Sequence, residues 1–212
     1  MFLIRFWTMF TKITAWPVQK VIFRTKIYYE DPAVQKRAIH GPAIIISNHL
    51  SVYDYAIMLF VFFWRTLRYQ MAEILFEKQP LGLFLKMMGG IRVDRRTKNF
   101  TFLRVSEEIL DKGGVVGIFP ESRLPKKGEE RPLPFTVSAS YLALSSGVKV
   151  IPVYTNGRYF QKKRAAVIIG KPILARELVD ESLTEKENID LVAQKMREKV
   201  ILLGKMLDER YE

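Results

Sequence analysis

From residue 42 onward the chain alternates short apolar runs with longer stretches of helical periodicity, and few architectures accommodate that alternation. Residues 42–47 (PAIIIS), 68–73, 90–93, 115–119, 149–154 and 165–169 have the length and composition of strands, several of them apolar throughout. Uninterrupted apolar strands are buried on both faces, which is the condition of a parallel sheet between helices. Between them, residues 53–64, 99–112 and 135–146 read as helices, with a further helix between 73 and 90. Near the end, Thr184 and Glu187 have capping-box spacing ahead of Ile189, Val192, Met196, Val200, Leu203 and Leu207 at helical intervals. The expected fold is α/β: a single domain with a largely parallel central sheet flanked by helices. With 212 residues and no internal repeat, low-complexity tract or interdomain linker, one such domain accounts for most of the chain.

Residues 1–30 are different in character. Phe2, Phe6, Trp7, Phe10 and Trp16 stand among scattered basic residues, and Pro17 disfavours helix at the residue before it. The segment reads as a pair of short amphipathic helices divided near Pro17, with the composition of helices lying in a membrane interface. Those five aromatics are the expected membrane contacts, residues 1–30 the attachment segment and residues 31–212 the α/β domain. Arg5, Lys12, Pro17 and Lys20 interrupt the segment too often for a membrane span of roughly 20 apolar residues. A cleavable leader is also a poor fit, so the Asn99-Phe100-Thr101 sequon reads as chance.

A net charge of +12 predicts anionic partners: acidic lipid, an acidic protein or nucleic acid. No cysteine is present, which removes disulfides, thiolate metal sites and a cysteine nucleophile. With only His40 and His49, a multi-histidine metal centre is excluded as well. Phosphate-loop, dinucleotide-binding, serine-elbow and H-E-x-x-H patterns are absent. No nucleic-acid module is recognisable either, although a non-catalytic basic protein that binds lipid or nucleic acid remains a second reading of the charge.

What stands out is Ser47-Asn48-His49-Leu50-Ser51-Val52-Tyr53-Asp54, between a buried strand and an apolar helix. The end of a strand in an α/β sheet is where ligands gather. Histidine suits general-base work near neutral pH, and a carboxylate on its second ring nitrogen fixes the tautomer. Ser51 and Asp54 also have capping-box spacing, so Asp54 has an alternative duty at the helix start.

Three further blocks follow in order: Gly89-Gly90-Ile91-Arg92-Val93-Asp94-Arg95, Ile118-Phe119-Pro120-Glu121-Ser122-Arg123 and Val150-Ile151-Pro152-Val153. Together with His49 and Asp54 they resemble the 1-acylglycerol-3-phosphate acyltransferase (lysophosphatidic acid acyltransferase) family, which carries N-H-x-x-x-x-D, G-x-I-x-x-D-R, F-P-E-G-T-R-S and a short V-P-V-like strand. The resemblance runs from about His49 to Pro172. It implies a general base at His49 oriented by Asp54, and direct attack of a lysophospholipid hydroxyl on the thioester of acyl-CoA or acyl-carrier protein. It also implies acceptor binding by Arg92, Arg95, Glu121, Ser122 and Arg123, no metal or prosthetic group, and a monotopic or peripheral place on the cytoplasmic face of a cell membrane. Nucleic acid is not an expected partner.

The chain departs from the family pattern in three places. Glu121-Ser122-Arg123 is one residue shorter than Glu-Gly-Thr-Arg, Phe135-Thr136-Val137-Ser138 lacks the usual lysine and glycine, and Arg92 stands where an aromatic or aliphatic residue is usual. These changes bear on the acceptor's phosphate and open the way to another lysolipid acceptor. His49 and Asp54 are untouched by them.

Overall fold

The computed structural model describes residues 2–94, 100–160 and 164–211. A seven-stranded sheet runs through the middle in the order β1-β7-β6-β2-β5-β3-β4. Its strands are β1 (Lys26–Tyr29), β2 (Ala43–Ser47), β3 (Leu67–Ala72), β4 (Ile91–Val93), β5 (Val115–Ile118), β6 (Val150–Thr155) and β7 (Ala166–Ile169). Every neighbouring pair is parallel except β6 with β7. β2 lies between β5 and β6 and is buried along its whole length, which is why its sequence is an unbroken apolar run.

Helices cover both faces. On one side α2 (Asp54–Val61) packs over Ala43, Ile45 and Tyr69, and α1 (Phe2–Ile22) lies against α2 and α4 (Leu81–Met87). The short α3 (Ile74–Glu77) precedes α4. On the other side α5 (Thr101–Asp111), α6 (Ser138–Ser146) and α7 (Glu185–Tyr211) cover Ile44, Ile46, Val116 and Val150. The capping box starts α7 as its spacing predicts: the Thr184 N–H donates to Glu187 Oε2 at 2.8 Å, and Val192, Met196, Val200, Leu203 and Leu207 are buried.

The N-terminal segment corrects one expectation. It is a single helix through Pro17, not a pair divided there. Pro17 is on the solvent face, so the hydrogen bond it cannot make is replaced by water at little cost. The helix is also turned inside out: Thr8 and Lys12 are its buried residues, while Phe2, Phe6, Phe10, Ile13 and Trp16 are exposed and Trp7 is half-buried. β1 pairs with β7 at the sheet's edge.

Because β2, β5 and β6 are parallel, their C-terminal ends share one edge of the sheet. His49 follows the first, Glu121 the second and Tyr159 the third.

Candidate active site

The loop after β2 is held from several sides before it presents any chemistry. Asn48 is buried and bridges to β6: its Nδ2 donates to the Thr155 carbonyl at 2.9 Å, and the Thr155 N–H donates to its Oδ1 at 2.8 Å. The next residue, His49, has its backbone N–H bound to Glu121 Oε1 at 2.7 Å. Glu121 Oε2 accepts from the Leu133 N–H at 2.8 Å, so one carboxylate ties the loop after β2 to the segment after β5. Burial raises the Glu121 carboxyl above its ordinary value, against the two backbone donors that favour its charged form.

Asp54 opens α2 and is fully buried. Its Oδ2 accepts from His49 Nδ1 at 2.9 Å, from the Leu50 N–H at 2.7 Å and from the Ser51 N–H at 2.8 Å. One carboxylate oxygen thus holds both the loop ahead of the helix and the histidine. Since a carboxylate can only accept, Nδ1 carries a proton, and in the neutral imidazole Nε2 then keeps its lone pair. Among the described residues Nε2 has no hydrogen-bond partner, and the side chain is part-exposed.

A residue that sequence reasoning missed completes this arrangement. The Tyr159 hydroxyl donates to Asp54 Oδ1 at 2.5 Å and lies 3.0 Å from Thr155 Oγ1. Burial, with Asp54 alongside, pushes the Tyr159 phenol upward, so it stays protonated and remains a donor. The imidazole itself rests on Phe119, stacked at 4.2 Å between centroids, and Phe119 in turn stacks on Tyr69 at 4.9 Å. Tyr69 lies over β5 at Gly117, where an added Cβ would come within 2.3 Å of its ring.

The expected acceptor-binding residues are less tightly gathered. Arg92, on β4, is largely exposed and reaches Glu73 at 3.2 Å. Arg95 lies outside the described residues. Ser122 directly follows Glu121 in a left-handed backbone conformation (φ 61°), one that glycine adopts at less cost, and its hydroxyl is 3.2 Å from Thr136 Oγ1. The fork of Arg123 is taken up by Glu129, with bonds of 2.7 and 2.8 Å. The shortened block thus places Arg123 on its own loop's carboxylate. A cavity of about 240 Å³ beside the stacked Phe119 is lined by Asp94, Ser122, Thr136 and Ser138. His40, the other histidine, is exposed.

A family model described as Acyltransferase matches residues 25–156, more than half of the chain and the stretch that contains His49, Asp54 and Glu121. The chain belongs to the acyltransferase family. Within that family it is 29% identical over 147 residues to the human 1-acyl-sn-glycerol-3-phosphate acyltransferase beta, covering 66% of this chain and 51% of that protein. Against the 1-acyl-sn-glycerol-3-phosphate acyltransferase of Bacillus subtilis it is 24% identical over 148 residues, covering 68% of this chain and 71% of that one. The chain thus spans about half of the human relative's length. Its fold matches that of the crystal structure of the 1-acyl-sn-glycerophosphate acyltransferase of Thermotoga maritima, with a TM-score of 0.59 at 20% identity over 90% of this chain and 77% of that one. The α/β architecture of this acyltransferase, with its mostly parallel sheet and N-terminal helix, is the one that neighbour shares.

Proposed function

We infer that this acyltransferase moves a fatty acyl group from a thioester to the free hydroxyl of 1-acylglycerol-3-phosphate at a membrane surface, giving phosphatidic acid. The observation that carries the reading is the His49 Nδ1–Asp54 Oδ2 hydrogen bond with Nε2 left unbonded. In the proposed reaction Nε2 takes the proton of the acceptor hydroxyl as its oxygen attacks the thioester carbonyl carbon. The imidazolium that forms is stabilised by Asp54. Collapse of the tetrahedral intermediate breaks the carbon–sulfur bond, and the thiolate leaves with the proton that Nε2 returns. No acyl-enzyme and no cofactor is required.

The cavity beside Phe119 is the proposed seat of the acceptor's polar end, and Arg92, which lines the adjoining cavity that shares Asp94 and Phe102, and Arg95 are the proposed phosphate ligands. Arg123 would join them by exchanging the Glu129 carboxylate for phosphate, a like-for-like replacement for a planar guanidinium. Glu121 and Tyr159 act as positioning residues, one through the His49 backbone and the other through Asp54. The exposed apolar stripe of α1 supports membrane attachment. Among the described residues no helix is long and apolar enough to cross a bilayer, which suits a helix lying in the interface.

Incubating the purified protein with labelled acyl-CoA or acyl-carrier protein and a panel of lysolipids tests this reading. Label in phosphatidic acid is the expected result. Label in another lipid would keep the chemistry and replace the acceptor, while no transfer by folded protein would overturn the reading.

A further inference from the structure

Four cations meet at the edge of the sheet opposite His49. A cleft of about 340 Å³ is lined by Arg5 from α1, Arg65 and Arg68 at the start of β3, and Lys112 at the end of α5, with Trp64 and Ile109 among its apolar walls. The Arg65 guanidinium donates to the carbonyls of Gly41 at 2.9 Å and Gly113 at 2.8 Å, just ahead of β2 and β5. Those strands run parallel, and His49 and Glu121 follow their far ends, so the cleft and the active site are separate places.

Among the described residues the one carboxylate on the cleft wall is Glu108. Among the described residues no carboxylate lies within ion-pair distance of any of the four. Glu108, on the cleft wall, is bound by Arg104 at 2.7 Å. Arg68 uses Nε, on the Gly89 carbonyl at 2.8 Å, and among the described residues its terminal nitrogens meet no acceptor. Arg65 and Arg68 are half-buried, and Arg5 repels Arg65. Like charges gathered in a part-desolvated cleft destabilise the fold unless an anion joins them.

The walls say which kind of anion. Trp64 is 80% exposed, its ring touching Phe63 edge-on and otherwise presenting a large apolar surface to the cleft mouth. Arg5 stands in sequence between Phe2 and Phe6, the start of the exposed stripe of α1. Cations beside an interfacial aromatic are the surroundings of a lipid headgroup.

We propose that this cleft binds the phosphate of an anionic diacyl phospholipid of the membrane itself, at a site distinct from the acceptor's, and so seats the N-terminal end of α1 on the bilayer. The inference rests on the membrane reading of α1 and not on the transfer reaction.

The test uses Trp7→Phe/Trp16→Phe protein, in which Trp64 is the remaining tryptophan, titrated with monomeric dihexanoyl-phosphatidylglycerol in the absence of any acyl donor. A saturable change in Trp64 fluorescence is expected. Adding Arg5→Gln/Lys112→Gln, on two cations of the cleft wall, should weaken it by roughly tenfold or more. An equal loss of charge across the sheet, Lys186→Gln/Lys205→Gln on α7, should leave it unchanged. Equal affinity for inorganic phosphate would make this a free-phosphate site and overturn the lipid assignment. Equal affinity for dihexanoyl-phosphatidylcholine, or binding indifferent to Arg5→Gln/Lys112→Gln, would overturn the proposal outright. Because no donor is present, none of these outcomes depends on whether the enzyme transfers acyl groups.

Discussion

Among the described residues Asp54 accepts four hydrogen bonds, three on Oδ2 and one on Oδ1, and one of them comes from the imidazole. The other three fix where the carboxylate stands when His49 has to turn toward a substrate. Tyr159→Phe removes one without leaving a hole, because the ring stays packed against Phe23 and Tyr53. The expected result in steady-state kinetics is a kcat lowered about tenfold with KM unchanged, the mark of an interaction felt in the transition state. A purely structural role would instead lower thermal stability and leave kcat per folded molecule intact. This residue shows where reading the chain stops. His49 and Asp54 are five positions apart and could be paired on spacing alone, whereas Tyr159 reaches Asp54 across 105 positions and Glu121 reaches His49 across 72. Nothing local marks either bond. Glu121 is singled out in the sequence only by the resemblance of its block to the family's, and its bond to the His49 backbone is visible only in the fold.

At the scale of elements, β2, β5, β6 and β7 were legible because double-sided burial writes itself as apolar runs, while the part-exposed β3 and β4 showed only as short segments between helical stretches. β1 was not. Its four residues are an edge strand, part-exposed, and their place depends on registering against β7 some 140 positions later. The continuity of α1 through Pro17 was equally hidden, since a proline's cost depends on which face it occupies. Two elements carry predictions. Gly117 in β5 leaves room for Tyr69, whose ring supports Phe119 and through it His49. Gly117→Ala should therefore destabilise the protein by about 1–3 kcal/mol in urea unfolding and lower activity beyond that loss. Lys12 joins α1 to the end of α2, its Nζ donating to the carbonyls of Phe62, Phe63 and Arg65 at 3.1, 2.9 and 2.7 Å. Burial lowers it from 10.5 to about 7. Between those values the unfolded chain binds more protons than the folded one, so this lysine makes folding more favourable as pH rises through that window. Lys12→Met should flatten the rise in stability between about pH 7 and about pH 10, measured by urea melts; an unchanged slope would place the titration elsewhere.

For the whole molecule, the central relation is between α1 and the sheet edge that holds His49. Phe2 and Phe6 are 80% and 52% exposed at one end of the helix, and Phe23, just past its other end, packs on Tyr159. One helix thus runs from the cationic cleft to the residue that holds Asp54. If its outer face lies in a bilayer, Phe6→Ser/Phe10→Ser should weaken vesicle binding by about a hundredfold or more, since each phenyl ring withdrawn from the apolar phase costs about 1.5–3 kcal/mol. Because both rings are exposed in the protein, its melting temperature should not fall.

The central claim is that His49 is the base that activates the acceptor hydroxyl. The direct test compares transfer from an acyl thioester to 1-acylglycerol-3-phosphate by the unaltered protein and by His49→Ala, with thermal unfolding of both recorded alongside. The account predicts turnover lowered by about 10²–10⁴-fold in a variant that unfolds at the same temperature. A folded variant that keeps half its activity would contradict it.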